Sequence, residues 1–133
     1  MYNRLIHFEI HASDTDKVAG WYRDVFGWEI KKWDNPMIDY WVVMTGPEGT
    51  SEPGINGGIV KRQGPAPTSN APVSSFVCTI GVPNVDNHIK KIINAGGTLA
   101  LPKMTIPGLA WLAYCKDIDG NLFGIYQDDK NAK

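Results

Sequence analysis

An excess of charge of either sign is missing from this 133-residue sequence, in which 13 lysines and arginines face 14 aspartates and glutamates for a formal net charge of −1. Without a basic surplus there is little to hold a phosphate backbone or an anionic bilayer surface, so nucleic acid is not an expected partner. Long hydrophobic runs are missing too. Stretches such as Trp41 to Met44 fall far short of the roughly 20 apolar residues needed to cross a bilayer, and no membrane partner is expected. The opening residues pass directly into an alternating pattern, with no apolar h-region or small-residue cleavage site, which makes the cytoplasm the expected compartment. Cysteine is scarce. Cys78 and Cys115 form no CxxC pair and sit in apolar runs, so both are expected to be buried, inert thiols. What is present, 43% hydrophobic residues, suffices for one compact core, and one domain over residues 1–133 is expected.

The pattern that fills the chain is a repeat. From Ile6 to Ile10, Ile6, Phe8 and Ile10 alternate with His7, Glu9 and His11, the period of a half-buried strand. A helix follows: Ser13 and Asp14 are N-cap residue types, Val18, Trp21, Tyr22, Val25 and Phe26 recur at helical spacing, and Gly27 offers a stop. Three strands are expected next, at Trp28 to Trp33, Tyr40 to Thr45 and Ile55 to Lys61. The second half runs the same way. A strand at about Ser75 to Val82 leads to a helix with Val85, Ile89, Ile92 and Ile93 on one stripe, stopped by Gly96 and Gly97. Strands near Thr98 to Leu101, Trp111 to Cys115 and Leu122 to Tyr126 complete it. Ile10 with Ile80, Asp16 with Asp86, Gly27 with Gly96, Trp41 with Trp111 and Gly58 with Gly124 are separated by 70, 70, 69, 70 and 66 residues. This regularity predicts an α+β fold of two tandem βαβββ modules forming curved mixed sheets around a cleft. Module 1 covers about residues 1–62, a Pro-rich linker about 63–72, and module 2 about 73–133.

Paired modules of this kind, with a histidine in the first strand, resemble the glyoxalase, bleomycin-resistance and extradiol dioxygenase (vicinal-oxygen-chelate) superfamily. The strings Ile6-His7-Phe8-Glu9-Ile10, Trp21-Tyr22-Arg23-Asp24-Val25-Phe26-Gly27-Trp28, Gly54-Ile55-Asn56-Gly57-Gly58 and Asp117-Ile118-Asp119-Gly120-Asn121-Leu122-Phe123-Gly124 look like its glyoxalase-related branch. The resemblance implies a small-molecule ligand and, in many members, a homodimer. It also implies metal ligands on the opening and closing strands of each module. Only His7 matches such a position; its repeat mate is Val77, and Gly124 stands where a closing carboxylate belongs. One histidine does not define a metal site, so no metal and no other cofactor is expected, with a divalent ion at His7 and Glu9 kept as the lesser reading.

The candidate catalytic residues are Glu9 and His7. A carboxyl facing a closed apolar cleft has its charged form disfavoured, which suits it to proton transfer beside a carbonyl, and an imidazole serves as acid, base or hydrogen-bond partner near neutral pH. His7, Glu9, His11, Trp41, Asn56 and Trp111 are the candidate ligand contacts, with Trp41 and Trp111 as opposed aromatic walls of the cleft. The connection between Leu101 and Trp111 is a candidate lid over its mouth. Two functions follow: a lyase or isomerase-type enzyme acting on a small carbonyl or thiol-adduct substrate, or a non-catalytic drug- or metabolite-binding protein. A regulatory or assembly domain, which an exposed apolar patch would reveal, is the third.

Overall fold

The computed structural model describes residues 2–37 and 39–133. The chain divides into two compact units, residues 1–66 and 67–133. The division falls inside the stretch read as the linker.

In the first unit the order is β1 (Phe8–Ala12), α1 (Thr15–Phe26), β2 (Glu29–Lys32), β3 (Tyr40–Met44) and β4 (Gly57–Lys61). The strands form one mixed sheet in the order β1-β4-β3-β2, in which β1 and β4 are parallel and the other pairs antiparallel. Helix α1 begins where Asp14 accepts a hydrogen bond from the Lys17 N–H at 3.1 Å. It ends where Gly27, at φ 71°, donates to the Arg23 carbonyl at 2.8 Å, a left-handed cap that glycine adopts without strain. Its apolar stripe, Val18, Ala19, Trp21, Tyr22 and Val25, is buried together with Ala12, Ile30, Trp41, Val43 and Ile59 of the sheet. Tyr22 and Phe26 stack on Trp28 with ring centroids 5.2 Å apart in each case. Arg23 donates to the Ile30 carbonyl and lies 5.6 Å over the Trp41 ring.

The second unit repeats the plan with β5 (Thr79–Gly81), α2 (Val85–Asn94), β6 (Thr98–Ile106), β7 (Ala110–Lys116) and β8 (Leu122–Asp128), in sheet order β5-β8-β7-β6. Asn84 caps α2 by accepting from the Asn87 N–H at 2.9 Å. Val85 and Ile92 are buried with Ala113, Cys115, Phe123 and Ile125, while Ile93, read as part of the buried stripe, is exposed. The turn before β8 is built on the buried Asp117, whose carboxylate accepts from the Asp119 and Asn121 N–H groups and from the Asn121 side-chain amide. Duplication is explicit in the register: Ile10 lies beside Ile59 in the first sheet, and their repeat mates Ile80 and Ile125 lie side by side in the second.

Four further expectations change. Strand β1 begins at Phe8 rather than Ile6, because its partner β4 begins at Gly57, opposite Phe8; Ile6 has no ladder to join and is 81% exposed. The stretch read as a lid is the continuation of β6, which runs to Ile106 and turns tightly through Gly108 (φ 73°) into β7. Pro102 is tolerated there because β6 is an edge strand whose register shifts between Leu101 and Met104. Cys78 is exposed, since the strand expected from Ser75 shrinks to Thr79–Gly81; only Cys115 is a buried thiol, and burial pushes its pKa to about 11. Finally, sheet register pairs Trp41 with Ile59 but Trp111 with Gln127, so the structural mate of Trp41 is Ala113, opposite Ile125. The two tryptophans are not equivalent positions.

Candidate functional site

Strand alternation in the first sheet sends Ala12, Trp41, Val43 and Ile59 toward α1 and leaves Glu9, His11, Tyr40, Val42, Gly58 and Val60 on the opposite, outer face. The expected polar residues of β1 therefore share one face. His7 stands just before the strand. Glu9 lies beside Gly58, and His11 beside Val60. The Glu9 and His11 side chains are half-exposed, at 49% and 48%, with Glu9 Oε1 3.8 Å from His11 Nε2. An exposed pair at that separation adds little stability, and α1 packs against the other face.

A residue that sequence reasoning missed completes this polar row. Tyr40 Oη is 2.6 Å from His7 Nε2, and the two rings are nearly parallel, 15° apart. The phenol ring lies over Gly58, where a Cβ would collide with its Cζ and Oη, so the glycine makes the seat that brings the hydroxyl to His7. Burial, and second the Glu9 carboxylate, hold the Tyr40 phenol above its ordinary pKa. The available signal was the alternation of Tyr40-Trp41-Val42-Val43-Met44, which puts Tyr40 opposite in face to the buried Trp41. The second sheet has a counterpart: a Cβ on Gly124 would lie 3.0 Å from Thr79 Oγ1 and 3.3 Å from Tyr114 Cε1, so a tyrosine also covers the closing-strand glycine there.

The other expected contacts have structural tasks. Trp41, 9% exposed, belongs to the helix-covered face of the first sheet, and its Nε1 has no hydrogen-bond partner among the described residues. Trp111 donates from Nε1 to Asp129 at 2.9 Å and lies under Lys103, which pairs at 3.0 Å with Asp86 of α2. Both tryptophans sit on the helix side of their sheets, and neither lines the outer face. Asn56 Oδ1 accepts from the Thr45 N–H at 2.9 Å and ties the end of β3 to the start of β4.

Further along the outer face, a shallow depression of about 250 Å³ is lined by Glu29, Lys31, Lys32, Trp33, Asp34, Val42 and Met44. Trp33 meets Tyr40 edge-on with ring centroids 6.2 Å apart, which joins the depression to the His7–Tyr40 pair.

The donor set does not fit the superfamily's metal. His7 Nε2 is engaged by Tyr40, Val77 has no lone pair to give, and Gly58 and Gly124 carry tyrosine rings where a ligand would need room. Among the described residues, no three His, Cys, Asp or Glu side chains are grouped to hold an ion.

Comparison with known proteins agrees with this architecture. Residues 4–46 match the bleomycin resistance protein-like N-terminal family. No curated protein matches the chain. Among solved structures, a glyoxalase-related enzyme from Fulvimarina pelagi is 20% identical with a TM-score of 0.68, the match covering 99% of this chain and 98% of that one. A glyoxalase/bleomycin resistance protein/dioxygenase family enzyme from Burkholderia phytofirmans is 18% identical with a TM-score of 0.68, covering 92% and 97%. A fosfomycin resistance protein, FosX, from Listeria monocytogenes, complexed with Mn(II) and 1S,2S-dihydroxypropylphosphonic acid, is 15% identical with a TM-score of 0.72, covering 97% and 95%. With residues 4–46 matching that family and the paired βαβββ plan shared over nearly the whole chain, the protein has the fold of the glyoxalase, bleomycin-resistance and dioxygenase (vicinal-oxygen-chelate) superfamily.

Proposed function

We propose that this protein binds a small organic molecule against the outer face of the first sheet, with His7, Glu9 and His11 as its polar contacts. The observation that carries the reading is the row of hydrogen-bonding side chains on the face of the first sheet opposite α1, ending in a hydrogen-bonded imidazole–phenol pair. A few convergent polar groups on one face suit the recognition of a small molecule. A screen of small organic molecules by amide chemical-shift mapping tests it: the shifts belong on β1, β3 and β4, and shifts confined to other elements would refute the site.

A second reading is catalytic, a lyase or isomerase-type reaction on a small carbonyl or thiol-adduct substrate. It is favoured by Glu9, which stands on that face beside Gly58 and within reach of His11. In that reaction Glu9 removes a proton next to the carbonyl and returns it at the neighbouring atom, with the His7 imidazole as its acid–base partner. Turnover lost in Glu9→Gln with ligand binding retained separates the enzyme from the binder. A metal-dependent version is tested by titrating Zn²⁺, Ni²⁺, Mn²⁺ and Fe²⁺ into the protein and into His7→Ala; tight stoichiometric binding lost in the variant would restore a metal mechanism. The superfamily's habit of pairing modules across chains supports a homodimer, which light scattering on the eluting protein checks.

A further inference from the structure

We propose that the Tyr40 hydroxyl anchors a small, uncharged aromatic ketone or aldehyde, whose carbonyl oxygen meets Tyr40 and whose ring lies on Val42 and Met44 beside Trp33. The inference rests on the outer-face reading above and adds to it a residue and a ligand class.

The hydroxyl is held in place from two sides. Gly58 leaves the phenol ring its seat, and His7 Nε2 meets its oxygen at 2.6 Å. With His7 carrying its proton on Nε2, the imidazole donates to the phenolic oxygen, and the phenolic O–H is left to donate outward to an acceptor. A carbonyl oxygen is such an acceptor, and a preorganised donor recognises it without reordering its own side chain.

Size and polarity follow from what adjoins the hydroxyl. Val42 follows Tyr40 by two residues on β3, and so lies next to it on the same face. Val42 and Met44 line the 250 Å³ depression with the half-exposed Trp33, 47% accessible. That volume is below the roughly 300–1,000 Å³ of sites for drug-sized molecules, which limits the ligand to about one ring. The rim carries Lys31 and Lys32, but Lys31 pairs with Glu29 at 2.9 Å and Lys32 with Asp39 at 3.7 Å. These carboxylates offset the two ammonium groups, so the rim offers an anion little net attraction. A neutral ring needs none.

The test uses the full chain and two probes, 4-fluoroacetophenone and 4-fluoroethylbenzene, observed by fluorine NMR. They differ at the carbonyl. The ketone is expected to bind roughly three- to tenfold more tightly, the worth of one neutral hydrogen bond. Tyr40→Phe should bring the two affinities together, and Val42→Glu should weaken both, with circular dichroism confirming that each variant is folded. Equal affinities in the unmodified protein, binding of neither probe, or a preference that survives Tyr40→Phe would overturn the inference. If Glu9→Gln abolishes binding while Tyr40→Phe leaves the preference intact, this inference falls and the outer-face reading stands. Probe binding indifferent to Val42→Glu overturns both.

Discussion

At the scale of single residues, Gly57 and Gly58 are neighbours with opposite tasks. A Cβ on Gly57 would run into the Phe8 carbonyl oxygen and ring, whereas on Gly58 it first meets the ring and hydroxyl of Tyr40, which can swing aside. Gly57→Ala is therefore expected to cost about 1–3 kcal/mol by forcing β1 from β4. Gly58→Ala should keep most of the stability while releasing Tyr40 from His7. Urea denaturation midpoints and the His7 imidazole resonances distinguish the two. The raised Tyr40 pKa has a definite sign: the unfolded chain loses this proton at about pH 10, before the folded protein does. The stability it contributes is thus fully present below pH ~10 and is lost as pH rises through the folded value. Tyr40→Phe should flatten the alkaline fall in stability, and Glu9→Gln, by removing the second cause of the shift, should move the Tyr40 phenolate absorbance to lower pH. The thiols differ in the same legible way. Ellman's reagent is expected to titrate one thiol, the exposed Cys78, in the native protein and both after denaturation, because Cys115 is buried and its thiolate disfavoured.

At the scale of elements, local chemistry was the more readable. Asp14 and Gly27 bound α1 where their residue types place a cap and a left-handed stop. Asp14→Ala should cost about 1 kcal/mol in thermal or chemical unfolding, the usual value of an N-cap. The strands were less readable at their ends, since a strand extends only as far as its partner. Ile6 alternates correctly in sequence and still falls outside β1, and the Pro102 segment reads as a connection and is an edge strand.

At the scale of the whole molecule, the chain comprises two similar units joined through residues 62–78, which hold no helix or strand and include the 88%-exposed Phe76. Brief chymotrypsin digestion of the native protein should cut first at Phe76 and yield two fragments of similar size, read by mass spectrometry. First cuts within β6 or β7 would contradict this account of the connection.

The duplication, both helices and the common face of His7, Glu9 and His11 were all legible in the sequence, because they depend on caps, glycine stops and periodicities of 2 and 3.6, which act between near neighbours. Spacing misled where register mattered: an offset of 70 residues equates Trp41 with Trp111, but the ladders equate Trp41 with Ala113. Trp41 consequently lies under Arg23, Trp111 is held by Asp129, and the residue that meets His7 is Tyr40. Tyr40 is 33 residues from His7 in the chain and 18 from Gly58. Only the tertiary structure decided that they meet, because a ring above a glycine and a hydroxyl against an imidazole arise from hydrogen-bond register between strands, which no local pattern specifies.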